Sequence, residues 1–196
     1  DVGNSSNTRP EGFVDGNKWT DFFRWNIRPS LQIIVIDTLG DFWFNENPGQ
    51  YGSVNTSTPN AIACFSFPVQ TVEQRGNIIN FLDEIVPDNY TVIVYNAIRS
   101  ESQDLWINEW AADSLTLAGK NIFNVLESNG AQQVRDLLIG PMRPYLFAYE
   151  KGGTVLDEKI AQTAGELLFY SIDLPGRWTN GQMTSKQIGP AQTWER

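Results

Sequence analysis

The hydrophobic pattern in the middle of the chain changes repeatedly between the period of a strand and that of a helix. Runs of β-branched and aromatic residues at positions 31–37, 61–67, 90–98 and 145–149 are typical of strands in a buried sheet. Between them, apolar residues recur every three to four positions, which predicts amphipathic helices. The sequence therefore predicts an α+β fold class, with a mixed β-sheet and two or more helices packed on it.

The helix after Thr71 is the element that this pattern defines best. Thr71 and Gln74 have the spacing of a capping box, in which each side chain accepts a hydrogen bond from the backbone N–H of the other residue. Ile78 and Leu82 then fall on one apolar stripe, and Pro87 is expected to end the helix.

Weaker patterns predict further elements. A tight turn at 38–41 leads into Phe42-Trp43-Phe44 and predicts a hairpin with the first strand. A short helix is expected within 100–113. A longer helix is expected at 114–128, where Asn129-Gly130 would supply the left-handed C-cap.

The composition divides the chain into a central domain with an extension on either side. Residues 1–29 are an N-terminal extension, residues 30–151 are the α/β domain, and residues 152–196 are a C-terminal β extension or the start of a following module. Gly152-Gly153 marks the expected domain edge, and 166–174 is expected to form a strand beyond it. The chain begins without a methionine, so we expect either a segment of a longer protein or the loss of a signal.

Charge and hydropathy argue against two kinds of partner. The net charge is −9 and the fourteen basic residues are dispersed. Nucleic acid backbones attract clustered Lys and Arg, so we expect no nucleic acid partner. No apolar run approaches the roughly 18–20 residues that a membrane span needs, so we expect no membrane span. No pattern indicates the oligomeric state.

The chain contains no histidine and a single cysteine. A Ser–His–Asp or Cys–His catalytic arrangement is therefore excluded within it, and so is a His-ligated zinc or iron site. Cys64 cannot form an intrachain disulfide, and its apolar neighbours predict a buried, unreactive thiol. We accordingly predict no catalytic residue, no metal and no cofactor.

The order of these elements resembles the interleukin-like EMT inducer (ILEI) domain family over residues 30–151. The residues that carry the resemblance are Leu31-Gln32-Ile33-Ile34-Val35-Ile36-Asp37, a turn with Gly40, the helix at 76–85 with its exit Pro87-Asp88-Asn89-Tyr90, the strand at 91–95, Leu126-Glu127-Ser128-Asn129-Gly130, and the strand at 145–149. More narrowly, the chain is similar to the ILEI-type domain inside large secreted proteins of Bacteroidota that are associated with type IX secretion.

This resemblance implies a secreted or cell-surface location, outside the cytoplasm. Relatives of the fold include the stem domain of a glycosyltransferase, which is similar to a carbohydrate-binding domain, so a carbohydrate ligand is implied as well. The animal cytokine-like members carry disulfides. With Cys64 alone, this chain departs from their covalent scaffold.

The favoured hypothesis is a non-catalytic, extracytoplasmic ligand-binding module within a larger cell-envelope or secreted protein, with carbohydrate as its ligand. Seven tryptophans support it, because flat rings stack on sugars while neighbouring amides and carboxylates bind hydroxyl groups. Alternation along the strand puts Phe42 and Phe44 on one face of the sheet and predicts that Trp43, on the other, faces outward or lies beneath the loop at 45–60. The candidate site residues are Trp43 with Asn45 and Glu46, and then Trp106 with Glu109 and Trp110.

Two other functions remain open on the sequence. A structural or assembly domain of a type IX secretion-associated protein would bind another envelope protein and no small molecule, and burial of all three tryptophan rings would favour it. A carboxylate-based glycoside hydrolase would need two acids roughly 5–10 Å apart. The acids considered for it are Asp37, Asp41, Glu46 and Glu109.

Overall fold

The computed structural model describes residues 29–46, 50–53, 63–97 and 104–174, together with the backbone of 2–3, 11–14 and 17–21. The described strands are β1 (Val2–Gly3), β2 (Glu11–Val14), β3 (Asn17–Asp21), β4 (Ser30–Ile36), β5 (Phe65–Pro68), β6 (Thr91–Ala97), β7 (Tyr145–Glu150), β8 (Val155–Ile160) and β9 (Leu167–Leu168). The α-helices are α1 (Val72–Asn80), α2 (Ile107–Trp110) and α3 (Ile122–Ser128). A π-helical turn (Phe81–Ile85) follows α1, and 3₁₀ helices lie at Ala111–Leu115 and Val134–Leu138.

Five of these strands form one sheet in the order β5-β4-β6-β7-β8. The α+β fold class predicted from the sequence is confirmed. All four strand pairings are antiparallel, so this sheet is antiparallel throughout rather than mixed. The two short pairings, β1 with β9 and β2 with β3, lie outside it.

The sheet buries apolar side chains on both faces. Alternate residues along each strand point to opposite faces, so β4 contributes Ile33 to one core and Ile36 to the other. The larger core also contains helix residues such as Leu82 and Phe123, which identifies the face covered by the helices. The opposite face packs against the chain after β8, including Leu168.

Both ends of the α1 segment are capped by side chains. The predicted capping box is present, because Thr71 Oγ1 accepts from the Gln74 N–H at 3.2 Å and Gln74 Oε1 accepts from the Thr71 N–H at 3.1 Å. At the other end, the buried Lys151 ammonium donates to the carbonyls of Asp83 at 2.7 Å and Val86 at 2.5 Å. These carbonyls have no partner within the helix, and a cation is favourable at this end of the helix dipole.

The helix predicted at 114–128 is wrong in its first half. Helix α3 begins only at Ile122, where the Asn121 side chain accepts from the Asn124 N–H at 2.9 Å. Before it, Ala118 has a positive φ of 52° and Leu115 is 90% exposed. The Asn121 N-cap fixes the start of α3 at Ile122, so the residues before it are not part of this helix. Gly130, with φ of 98°, follows the helix as predicted.

The glycine pair at the predicted domain edge is a hairpin turn inside the sheet. The Gly153 N–H donates to the Glu150 carbonyl at 2.9 Å, and β8 continues the sheet beyond the turn. The sheet therefore extends past residue 151. Of the strand predicted at 166–174, only Leu167–Leu168 is a strand. Leu168, Tyr170 and Leu174 pack on the face of the sheet, and the strand at Leu167–Leu168 extends no edge of it.

None of the helices in the described part of the chain has the length and hydrophobicity to cross a bilayer.

Candidate functional site

The chain that leaves β4 places Trp43 against the helix-covered core. The Gly40 N–H donates to the Asp37 carbonyl at 3.1 Å, which closes the predicted turn, and the Trp43 N–H then donates to the Val35 carbonyl at 2.8 Å. The hairpin is shorter than predicted, since Phe42 pairs with Ile36 as a single bridge.

Trp43 is half-buried and faces the helices, so the first of its two predicted positions, facing outward, is wrong. Its ring stacks on Phe81, with centroids 6.0 Å apart, and meets Phe65 edge-on at 5.8 Å and Tyr90 edge-on at 6.4 Å. Phe42 packs on the opposite face of the sheet, as the alternation predicts. The prediction assumed one buried face, and this sheet has two.

A hollow of about 130 Å³ opens beside Trp43. Its lining residues are Trp43, Phe44, Asn45, Glu46, Gln50, Tyr51 and Phe65. We call this the Trp43 hollow. It brings together all three residues of the first predicted site and adds Gln50 and Tyr51, which the sequence analysis did not single out. An aromatic residue within a Gly-, Pro- and Asn-rich loop was the available signal for Tyr51.

The polar residues of the hollow have different roles. Asn45 is only 3% exposed, and its Nδ2 donates to the Tyr51 carbonyl at 3.0 Å, so it holds the backbone of Tyr51 in place. Glu46 and Gln50 are exposed. A buried amide that is already hydrogen-bonded shapes the wall, whereas exposed polar groups can bind a ligand.

Ser53, next to Gly52, fastens this loop to the edge strand β5. The Ser53 N–H donates to the Ser66 carbonyl at 2.7 Å, and the Ser66 N–H donates back to the Ser53 carbonyl at 2.9 Å. Gly52 has φ of 65°, and a Cβ there would lie 2.8 Å from the Ser66 carbonyl oxygen. Glycine is therefore needed for both the backbone conformation and the close approach. Tyr51 packs on Phe81 at 5.6 Å between ring centroids.

The second predicted site is not assembled in the same way. Trp110 is fully buried, packs on Phe123 at 5.2 Å between centroids and donates its indole N–H to the Leu105 carbonyl at 3.0 Å. It therefore belongs to the core and presents no ring face to a ligand. Trp106 is half-buried and lies just ahead of α2 with φ of 52°, so it is not part of the short helix that contains Trp110.

A buried ion pair beside this segment was missed by the sequence analysis. Arg75 and Asp113 form two charge-assisted hydrogen bonds, Nε to Oδ2 at 2.6 Å and Nη2 to Oδ1 at 2.8 Å. The Asp113 carboxylate raises the pKa of Arg75. The exposed Glu109 carboxylate lies 3.6 Å from the same guanidinium. This pair joins α1 to the 3₁₀ helix after α2, which is a structural role.

Cys64 is buried on the opposite face of the sheet, as predicted. Burial raises the pKa of its thiol to about 12, and its Sγ donates to the Gln32 Oε1 at 3.3 Å. The Gln32 amide in turn donates to the hydroxyls of Ser30 and Ser66, both at 2.7 Å. This hydrogen-bonded cluster joins β4 to β5, so it stabilises the sheet.

Within the described ranges, no group of three or more acidic or cysteine side chains is placed to hold a metal ion.

Comparison of the chain with protein families, with curated proteins and with solved structures finds no match.

Proposed function

We propose that this chain is a non-catalytic carbohydrate-binding module and that the Trp43 hollow is its site. The observation that carries the proposal is the gathering of an indole, a phenol, a carboxylate and an amide around one small opening. Rings can stack on the apolar face of a sugar, and Glu46 and Gln50 can bind its hydroxyl groups. The resemblance to ILEI domains supports the same ligand class.

The size of the hollow favours a small ligand unit. At about 130 Å³ it is well below the roughly 300–1,000 Å³ of pockets that enclose drug-sized ligands. A single sugar unit is the matching size. A site of this kind buries little area, so we expect weak affinity that becomes useful when several sites engage one polymer.

The lining favours binding over hydrolysis. Glycosidases of the common mechanisms use two carboxyl groups about the scissile bond. Among the described residues that line the hollow, Glu46 alone carries one. Glu109, another acid considered for hydrolysis, lies instead beside Arg75.

We also propose, from the resemblance, that the module acts outside the cytoplasm as part of a larger cell-envelope or secreted protein of the type IX secretion-associated kind. The full-length gene product tests this directly. A secretion signal with further envelope-type domains is the expected result, and a stand-alone cytoplasmic enzyme would contradict it.

The binding proposal is tested on a glycan array, followed by calorimetric titration of the best ligands. Gln50→Ala should weaken binding while leaving the fold intact, because Gln50 is exposed at the hollow. Gln162→Ala removes an exposed glutamine elsewhere and is the matched control. An array without any positive glycan would overturn the proposal, and equal loss in both variants would move the site away from the hollow.

An assembly role is the second candidate, and the edge of the sheet favours it. In the described part of the chain, β8 pairs with β7 alone, and Val155 and Leu156 on it are 44% and 41% exposed. An unpaired edge with exposed apolar residues can accept a strand from a second subunit. Analytical ultracentrifugation tests this. Leu156→Lys should abolish concentration-dependent association, and Leu115→Lys, at an exposed site elsewhere, should not.

A further inference from the structure

The segment that builds the Trp43 hollow carries only one sign of charge. From position 29 to position 74 the sequence contains no lysine and no arginine, and its charged residues are Asp37, Asp41, Glu46 and Glu73. The first basic residue after the segment, Arg75, is buried and paired with Asp113. A ligand in the hollow therefore meets a carboxylate, with no cation supplied by this segment to offset it.

We propose that the ligand of the Trp43 hollow carries a protonated amine, and specifically that it is a sugar with a free amino group. This inference rests on the proposed carbohydrate-binding function and names the class of sugar. The group that the hollow would recognise is an ammonium, bound between aromatic rings and a carboxylate.

The aromatic lining is suited to a cation. Trp43, Phe44, Tyr51 and Phe65 all line the hollow. The face of an aromatic ring attracts a cation that lies within about 6 Å of the centroid, and tryptophan does so most strongly. Phe81 stacks on the Trp43 indole, and Phe65 and Tyr90 meet it edge-on, but the residue is only half-buried, so part of its ring surface remains for a ligand. Three rings of the lining are also held by one another or by Phe81, which keeps them in place without the ligand.

The Glu46 carboxylate supplies the second half of the recognition. It is exposed at the hollow, and it is the one carboxylate among the described lining residues. An ammonium group donates charge-assisted hydrogen bonds to a carboxylate, and these are stronger than bonds between neutral groups. A uronic acid would place a second negative charge at the same opening, which is unfavourable. An N-acetylated sugar would lose the charge and keep the hydroxyl groups.

The test compares a tetramer of glucosamine with its fully N-acetylated counterpart by calorimetry at physiological ionic strength. We expect the free-amine tetramer to bind roughly 10–100-fold more tightly, the range of a charge-assisted hydrogen bond. Glu46→Gln should remove most of this preference. Glu73→Gln removes the same charge from an exposed position of the same segment, away from the hollow, and should retain the preference.

The outcomes separate the two proposals. If both tetramers bind equally and Gln50→Ala weakens both, the amine preference is wrong and the carbohydrate function stands. If neither tetramer nor any arrayed glycan binds, the carbohydrate function fails as well. If a tetralysine peptide binds as tightly as the glucosamine tetramer and depends on Glu46, the ammonium chemistry stands and the sugar is wrong.

Non-specific attraction is distinguished by salt and by the paired variants. A protein of net charge −9 attracts any polycation, and this attraction is screened as the Debye length falls from about 8 Å to about 3 Å at 1 M salt. Binding that vanishes at 1 M salt and falls equally in Glu46→Gln and Glu73→Gln would overturn the proposal. Binding that persists and depends on Glu46 alone supports it.

Discussion

The Trp43 hollow and the segment around Trp110 (residues 105–115) both contact the core on the helix-covered face of the sheet. The two regions differ in how completely the chain covers the tryptophan ring. At Trp110, the indole N–H is satisfied by the Leu105 carbonyl, and the neighbouring 3₁₀ helix is fixed by the Arg75–Asp113 pair. No ring surface remains open there. At Trp43 the chain continues as a loop that is fastened next to Gly52, and a small opening is left.

The comparison indicates what decides whether an aromatic ring in this core stays accessible. Each tryptophan has an acidic residue close in sequence, Glu46 or Glu109, and each packs on another ring. The difference lies in the chain that covers them. A short helix held by a buried ion pair closes over the ring completely, whereas a loop with a positive-φ glycine at its end lies beside the ring.

The largest expected difference between the two regions is in stability. Trp110→Ala should reduce the free energy of unfolding by about 4–5 kcal/mol, because it opens a core cavity and leaves the Leu105 carbonyl without its donor. Trp43→Ala should cost about 2 kcal/mol, since that ring is only half-buried. Urea denaturation followed by circular dichroism measures both. Equal losses would mean that the two rings are equally part of the core.

The ion pair that closes the Trp110 region gives the second prediction. Asp113→Ala should cost about 3 kcal/mol, because the buried Arg75 then loses two charge-assisted hydrogen bonds and keeps only the exposed Glu109 carboxylate, 3.6 Å away, as a counter-charge. Replacing both partners, as Arg75→Met with Asp113→Leu, should recover most of the loss. Urea denaturation of the single and double variants tests this. A double variant as unstable as Asp113→Ala would show that the loss comes from packing rather than from the buried charge that has lost its hydrogen-bond partner.

The elements that the sequence predicts correctly are those with a local physical cause. The capping box of Thr71 and Gln74, the strand around Val92 and the left-handed Gly130 each depend on residues close in sequence. The extent of α3 was mispredicted because the i, i+3 and i+4 pattern continued through Leu115, where no partner surface exists. Whether such a pattern forms a helix depends on packing against residues far away in the sequence, and residue spacing alone does not reveal those contacts.

The candidate site was predictable in part for the same reason. Trp43, Asn45 and Glu46 are close in sequence, so a single turn brings them together. Tyr51 joins them through contacts outside that turn, since Asn45 donates to its carbonyl and its ring packs on Phe81. Arg75 meets Asp113 across 38 positions of sequence. The orientation of Trp43 depended on the second buried face of the sheet, which is covered by residues far along the chain.

The loop that leaves the hollow open gives the third prediction. Gly52→Ala should cost about 2 kcal/mol, of which about half is the positive φ and the rest is the contact with the Ser66 carbonyl. Gly140→Ala is the control, since Gly140 has φ of 80° and a Cβ there would meet nothing within 4 Å. It should cost about 1 kcal/mol.

The same glycine variants also distinguish the two regions by function. Gly52→Ala should weaken ligand binding because it displaces the loop that carries Gln50 and Tyr51, and Gly140→Ala should leave binding unchanged. Thermal denaturation and calorimetric titration measure the two effects. If Gly52→Ala bound ligand as the wild type does, the loop would not be part of the site.

The smallest expected effect on stability is the one that best separates the two predicted sites. Glu46→Gln and Glu109→Gln each replace an exposed carboxylate, one at the hollow and one 3.6 Å from Arg75 in the Trp106 segment. Each should change the free energy of unfolding by no more than about 0.5 kcal/mol, because exposed charges of this kind contribute little. Their effects on binding should differ, since only Glu46 lines the hollow. Calorimetric titration with the glycan selected on the array should show weaker binding for Glu46→Gln and wild-type binding for Glu109→Gln. The reverse result would place the site at Trp106, and the rings around Trp43 would then be core alone.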